Sequence, residues 1–291
     1  MSIDAKSYYE KIASEYSQQY QLSLLQEGIK YPQNYYRLQW LVERVGNSGI
    51  KNIFEVGTGE GTPLATLSKM GIEVAGCDMA ANMVSETRRR FEALGLDQNR
   101  VQIANIEDAI TLAPMRSLGL FDALFAFGVM PHVSNDLLCL RNMKMMVKDG
   151  GKIFIEFRNK LFSLFTMNRL TKEFILDDLL SGVSGKIKEE VEKELDKRLA
   201  IEEPPMNGSG YGQVMNAKFH NPFEIQDLFQ KEGFRDIQTH WYHYHAAPPI
   251  IEKKLHDKTL AWKDAAAMEN QPSWKGYFLC SAFVIAATVS K

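Results

Sequence analysis

The chain has 291 residues, 34 Lys and Arg against 36 Asp and Glu for a formal net charge of -2, and a composition that is 45% hydrophobic, 24% charged and 11% aromatic. That length allows one large domain or an ordinary one carrying a substantial insertion, and the composition is that of a globular protein. The near-neutral charge offers no bulk attraction for nucleic acid or an anionic membrane surface, so neither is expected as a partner. The longest uncharged run, Gly276 to Ser290, is shorter than the roughly 18 residues a spanning helix needs and predicts a buried strand instead. Met1 to Lys6 lacks the basic start and apolar stretch of a secretory signal, and Cys77, Cys139 and Cys280 are an odd, scattered trio. The expectation is a reduced cytoplasmic protein without disulfides and without a metal centre.

In chain order, residues 1–46 predict a helical cover rich in tyrosine (Tyr8, Tyr9, Tyr16, Tyr20, Tyr31, Tyr35, Tyr36), ending in an amphipathic stretch from Tyr35 to Val45. From residue 51 short apolar runs alternate with helical segments: Lys51 to Val56, Glu73 to Cys77, Val101 to Ala104, Phe121 to Phe127 and Lys152 to Phe157. That rhythm implies a parallel, doubly wound sheet across a core of 47–160. It stops over 161–220, which reads as a helical insertion. There Ile187, Val191, Leu195 and Leu199 recur every four residues and predict a stripe packed on the body, followed by the segment Pro204 to Gly212, which includes Tyr211. This segment is read either as a mobile flap or as a connector. Over 221–291 the pattern resumes with a helix from Pro222 to Lys231, a strand from Arg235 to Tyr244, a second helical insertion near 248–270 and a final strand from Tyr277 to Thr288.

The most informative stretch is Ile53-Phe54-Glu55-Val56-Gly57-Thr58-Gly59-Glu60-Gly61, a buried strand entering a glycine-rich turn. A dinucleotide fingerprint would need glycine at position 62, which is Thr62, so a pyrophosphate seat is disfavoured. Glu55 before the loop instead suits a ligand bearing positive charge and an ammonium group. Asp78, at the tip of the second strand, is placed to accept ribose hydroxyls, with Met79 beside it to cover an adenine face. Asn105 and Ile106 end the third strand, where an amide can meet the adenine edge. Phe127-Gly128-Val129 follows the fourth.

Together these motifs resemble the class I S-adenosylmethionine-dependent methyltransferases of small-molecule type. The resemblance covers about 51–157, with partial support from Tyr8-Tyr9-Glu10-Lys11-Ile12-Ala13-Ser14-Glu15-Tyr16 and from the turn Asp149-Gly150-Gly151. It implies a Rossmann-like seven-stranded α/β sheet whose last strand is antiparallel, with an N-terminal helical cover and a helical lid. It also implies S-adenosylmethionine as cofactor. The implied cofactor residues are Tyr16, Arg37, Glu55, Gly57, Thr58, Gly59, Asp78, Met79, Asn105, Ile106 and Phe127. Each has a plainer reading: Glu55 as a strand-end carboxylate, Asp78 as a helix cap, Asn105 as a turn residue, Arg37 as an exposed helical cation.

On the acceptor side, His132 follows strand four and reads as either a structural or a catalytic group. In His240-Trp241-Tyr242-His243-Tyr244-His245, alternation puts Trp241, His243 and His245 on one face of the strand. His243 and His245 are candidate bases or packing residues, and as metal ligands they lack a third partner. Arg158 and Tyr211 are candidate substrate contacts. The expected reaction is methyl transfer to an oxygen or nitrogen of a small molecule such as a sugar, a nucleotide-linked sugar or a secondary metabolite, with homodimerisation left open. The competing expectations are a non-catalytic cofactor-binding subunit and a nicotinamide-dependent oxidoreductase.

Overall fold

The computed structural model describes residues 20–199, 217–252, 254–271 and 273–291. Seven strands, β1 (Asn52–Val56), β2 (Glu73–Asp78), β3 (Val101–Ile103), β4 (Phe121–Ala126), β5 (Val147–Arg158), β6 (Arg235–Tyr244) and β7 (Cys280–Thr288), form one sheet in the order β3-β2-β1-β4-β5-β7-β6. β1 to β5 pair in parallel, whereas β7 runs antiparallel to both β5 and β6. The reversal follows from the chain itself: β7 is entered from the same end at which β5 leaves. The antiparallel insertion of β7 separates this sheet from the dinucleotide-binding fold.

The central strands are apolar on both sides because helices cover both faces. Phe54, Leu124, Ile153, Ile155 and Phe283 fill one core layer, and Ile53, Phe125, Phe154 and Val284 the other. Helix α1 (Gln33–Gly46) belongs to the second layer. Its buried positions Asn34, Arg37, Leu38, Leu41 and Val45 recur at helical spacing, so the chain must bring Arg37 against the sheet along with the leucines. Helices α2 (Thr62–Ser68), α3 (Ala81–Ala93) and α4 (Asp136–Met146) link the parallel strands.

Four expectations are corrected. β5 begins at Val147, and the Asp149-Gly150-Gly151 turn lies within it as an irregularity of register opposite Phe121 to Ala123. Backbone bonds of 2.9 Å from Gly150 N to Val289 O and 2.8 Å from Val289 N to Gly151 O tie that turn to the C-terminal tail. β7 starts at Cys280, after a helical turn over Gly276–Leu279. Gly276 sits under Trp241, whose Cγ would be 2.3 Å from an added Cβ, and an extended chain bearing side chains does not fit there. Helix α5 (Gly185–Arg198) carries no buried residue, with Ile187 53% exposed. Its apolar stripe is only partly covered, and Lys172 holds the helix through Glu192 and Asp196 at 2.8 and 2.7 Å. Lastly, His243 has φ +60°, which breaks the two-residue alternation of β6. Trp241 and Tyr244, three residues apart, accordingly share one core layer while Tyr242 packs in the other.

Helices α6 (Pro222–Lys231) and α7 (Lys258–Glu269) complete the C-terminal half, their first turns capped by Asn221 and Asp257. The three cysteines are buried and free. Among the described residues no helix is long and apolar enough to cross a membrane.

Candidate active site

Where β1 ends, Gly57, Gly59 and Gly61 adopt φ of +78°, +54° and +84°, the left-handed region that side chains disfavour. Two of them are also pressed close: a Cβ on Gly57 would lie 2.5 Å from Val129 Cγ2, and one on Gly61 2.8 Å from Thr87 Cγ2. The loop is fastened to β2 by Gly57 N and Thr58 N donating to Cys77 O at 2.7 and 3.1 Å. It is fastened again by Gly59 N donating to Asp78 Oδ2 at 2.9 Å. Above this loop lies a cleft lined by Arg37, Glu55, Gly57, Thr58, Gly59, Asp78, Met79, Asn105, Ile106 and Phe127, joined by Tyr20, Gly128, Val129 and His132. It opens at the carboxyl ends of β1 to β4, where ligands of open α/β sheets gather. Tyr16 and Tyr211 lie outside the described residues.

Asn105 is a turn residue as well as a cleft residue, whereas Asp78 does not cap α3, whose N-cap is Ala80 with no side-chain cap bond. Asp78 Oδ1 accepts from Ala80 N at 2.9 Å and so turns the chain into α3. Asn105 Oδ1 accepts from Glu107 N at 3.0 Å, which commits its carbonyl to a turn and leaves its amide to the cleft. A carboxylate offers about four lone-pair sites, so Asp78 retains acceptor capacity beyond its two backbone partners.

Arg37 is not an exposed helical cation. It is 6% exposed, forms an ion pair with Glu156 of β5, and lies with its guanidinium 5.0 Å from the Phe127 ring centroid. Glu156 also accepts from Gly128 N at 2.9 Å. Glu55 is 2% exposed, and its Oε2 has no hydrogen-bond partner. Burial pushes its carboxyl well above the usual carboxylate range; Arg37 opposes the shift, and Asp78 and Glu60 add to it. Burial likewise raises Asp78 against its backbone donors. His132 is pushed down to about 4 by burial and by Arg158, with Glu156 pulling the other way.

The structure separates the three candidate bases. His132 borders the cleft on the turn Met130–His132, whereas His243 and His245 sit in a neighbouring cluster. His243 Nδ1 is 2.7 Å from Ser281 Oγ, its ring stacks on Tyr31 at 5.4 Å, and His245 lies 4.7 Å away. His245 Nδ1 is 3.2 Å from Glu252 Oε2. Glu269 closes the cluster, accepting from Tyr31 OH, from His243 N at 2.8 Å and from Tyr244 N at 3.1 Å. Arg158 lies within electrostatic reach of both His132 and His243. Among the described residues no group of three metal-ligating side chains comes together.

Sequence reasoning missed Glu156, Thr87 and Glu269. Glu156 had a signal, a lone acid inside the apolar run Ile153-Phe154-Ile155-Glu156-Phe157. Glu269 had none, since its partners come from α1's approach and from β6.

Residues 54–155, about a third of the chain, match the family model described as "Methyltransferase domain". With the sheet order and antiparallel β7 already established, that match identifies the segment it covers. Residues 54–155 are a class I methyltransferase domain. The chain is 26% identical over 146 residues to the ubiquinone biosynthesis O-methyltransferase of Coxiella burnetii, a match covering 50% of this chain and 59% of that protein. The Cronobacter sakazakii protein of the same name is 27% identical over 140 residues, covering 48% and 56%. The match thus spans little more than half the length of these curated relatives. The YcgJ protein of Bacillus subtilis shares the fold, with a TM-score of 0.50 at 14% identity over 88% of this chain and 99% of its own.

Proposed function

We propose that the protein transfers a methyl group from S-adenosylmethionine to an oxygen or nitrogen of a small molecule. The observation that carries this reading is the cleft itself: all ten described residues read from the sequence as cofactor contacts line one cavity at the carboxyl edge of the sheet. The cavity fits the group chemically. The left-handed glycines Gly57 and Gly59 bring bare backbone to the cleft, and the buried Glu55 Oε2, without a hydrogen-bond partner, is an acceptor suited to an ammonium donor.

In this assignment Asp78 accepts the ribose hydroxyls and Met79 and Ile106 sandwich the adenine, with the Asn105 amide at its edge. The Phe127 carbonyl and Glu55 receive the amino group, and Arg37 faces the carboxylate while Glu156 holds its guanidinium in place. When bound, the cofactor supplies an electrophilic methyl on a sulfonium. The protein's part is to align the acceptor lone pair with the S–CH3 bond and to exclude water. His132, neutral at cellular pH, takes the proton of a hydroxyl acceptor; Arg158 anchors an anionic part of the substrate. His243 and His245 are assigned a supporting role at the acceptor side, and the segment 161–220, with Tyr211, the role of a lid. Turnover is tested by following the labelled methyl group of S-adenosylmethionine into a panel of hydroxylated and amino metabolites. Calorimetry with S-adenosylhomocysteine tests the site, and preferential binding of NAD would overturn the reading.

A further inference from the structure

Glu55 presents an acid where the reading above needs an anion, yet its surroundings oppose ionisation. It lies on β1 between β2 and β4, 2% exposed where it lines the cleft, with one carboxyl oxygen lacking any donor. The charged and titratable groups that face it are Arg37 from α1, Asp78 and Cys77 from β2, and Glu60 from the glycine loop, while β4 sets the apolar Phe125 beside it. Of these only Arg37 is a cation, and it is already engaged by Glu156. Glu60 is paired with Arg90. An ionised Glu55 would therefore be a buried charge beside two further acids, with its one nearby countercharge shared.

Resting on the cofactor assignment, we propose that Glu55 carries a proton at neutral pH before ligand binds, and that an ammonium group on the incoming ligand displaces it. The balance is simple. The Glu55 O–H bond breaks, its proton passes to the solvent buffer, and the carboxylate left behind pairs with the ligand ammonium, so one proton is released per ligand bound. The site thereby demands a cation rather than merely tolerating one. A ligand lacking the ammonium gives Glu55 no reason to ionise, and an added cation restores the charge balance that the fold leaves incomplete.

The test is calorimetric titration with S-adenosylhomocysteine at pH 7 in phosphate and in Tris, buffers of very different ionisation enthalpy. The wild type is expected to release close to one proton. Its affinity should rise with pH by up to about tenfold per unit until Glu55 is ionised in the free protein. Glu55→Gln, with a melting temperature measured alongside, is expected to release none and to bind about ten- to a hundredfold more weakly. Binding by the wild type with equal heats in both buffers overturns the inference while leaving the methyltransferase reading intact, and needs no variant. Equal release from wild type and Glu55→Gln overturns it by pointing to Asp78 as the proton source. Failure of S-adenosylhomocysteine to bind at all overturns the cofactor assignment and the inference with it.

Discussion

Asp78 combines two tasks that a single substitution separates. One oxygen fastens the glycine loop through Gly59 N and the other turns the chain through Ala80 N, while the carboxyl borders the cleft. Asp78→Asn keeps one acceptor oxygen but loses the charge; Asp78→Ala loses everything. Removing a charge-assisted contact of this kind costs about 1.5–3 kcal/mol, so Asp78→Ala is expected to weaken S-adenosylhomocysteine roughly ten- to a hundredfold by calorimetry. Its melting temperature should fall below that of Asp78→Asn, because two backbone N–H groups lose their acceptor. His132 gives a second residue-scale prediction. Its imidazole, held near 4 in the ligand-free protein, is unprotonated at every pH above about 5, so the acidic limb of kcat/KM against pH should fall near 4 and not near 6.5. His132→Ala should lower kcat by about a hundredfold or more with cofactor affinity nearly unchanged. A limb that stays near 6.5, or a loss under tenfold, would reject His132 as the base.

At the scale of elements, the site depends on how β5 leaves the sheet. Asn159, fully buried just beyond β5, donates through Nδ2 to Tyr277 O and Cys280 O, both at 2.8 Å, and accepts from Leu161 N at 3.0 Å. It thus locks the exit of β5, the helical turn before β7 and the start of β7 into one junction, directly beside Arg158. Asn159→Ala strands two carbonyls and one N–H in the interior, and the expected cost is about 3 kcal/mol in denaturant unfolding. A change under 1 kcal/mol would mean that water replaces the side chain. Helix α5 is the opposite case, attached by ion pairs with no buried residue. Its amides should exchange with solvent well ahead of those in α4, whose Cys139, Leu140 and Met143 are buried. Slower exchange in α5 when S-adenosylhomocysteine and acceptor are both present would support the lid assignment; equal exchange in all states would make the helix a static appendage.

For the molecule as a whole, pH should act through two opposing sets of buried groups. His132 and His240 are each depressed to about 4, His240 by burial and Arg44 while its ring stacks on Trp40 at 4.7 Å. Unfolded histidine titrates near 6.5, so between about 6.5 and 4 the unfolded chain binds more protons and stability falls as pH falls. Burial raises Glu55, Asp78 and Glu269, the last to about 7, so above their unfolded values the folded chain binds more protons and stability falls as pH rises. The melting temperature is therefore expected to peak at mildly acidic pH. His240→Gln should flatten the acidic side and Glu269→Gln the neutral side. A melting temperature that does not vary between pH 4 and 8 would refute both assignments.

The chain by itself determined the sheet and the cleft. Gly57, Gly59, Gly61, Asp78, Asn105 and Phe127 sit at strand ends in order, and local patterning fixes where a strand ends because continuous apolar runs and glycine turns are short-range properties. The helix Pro222–Lys231 and the strand Arg235–Tyr244 are found at the boundaries the sequence predicts, for the same reason. Only the tertiary structure decided the rest. Arg37 changed from a surface cation to a buried one because Glu156, on β5 far along the chain, receives it. Tyr244 joined the layer of Trp241 because the chain turns left-handed at His243, where the Glu269 carboxylate, from α7, accepts from two consecutive N–H groups. Helix periodicity in α5 announced an apolar stripe but not how much of it the body would cover. A pairing between distant segments has no signature in either segment alone, since it is selected by the packing of the whole core.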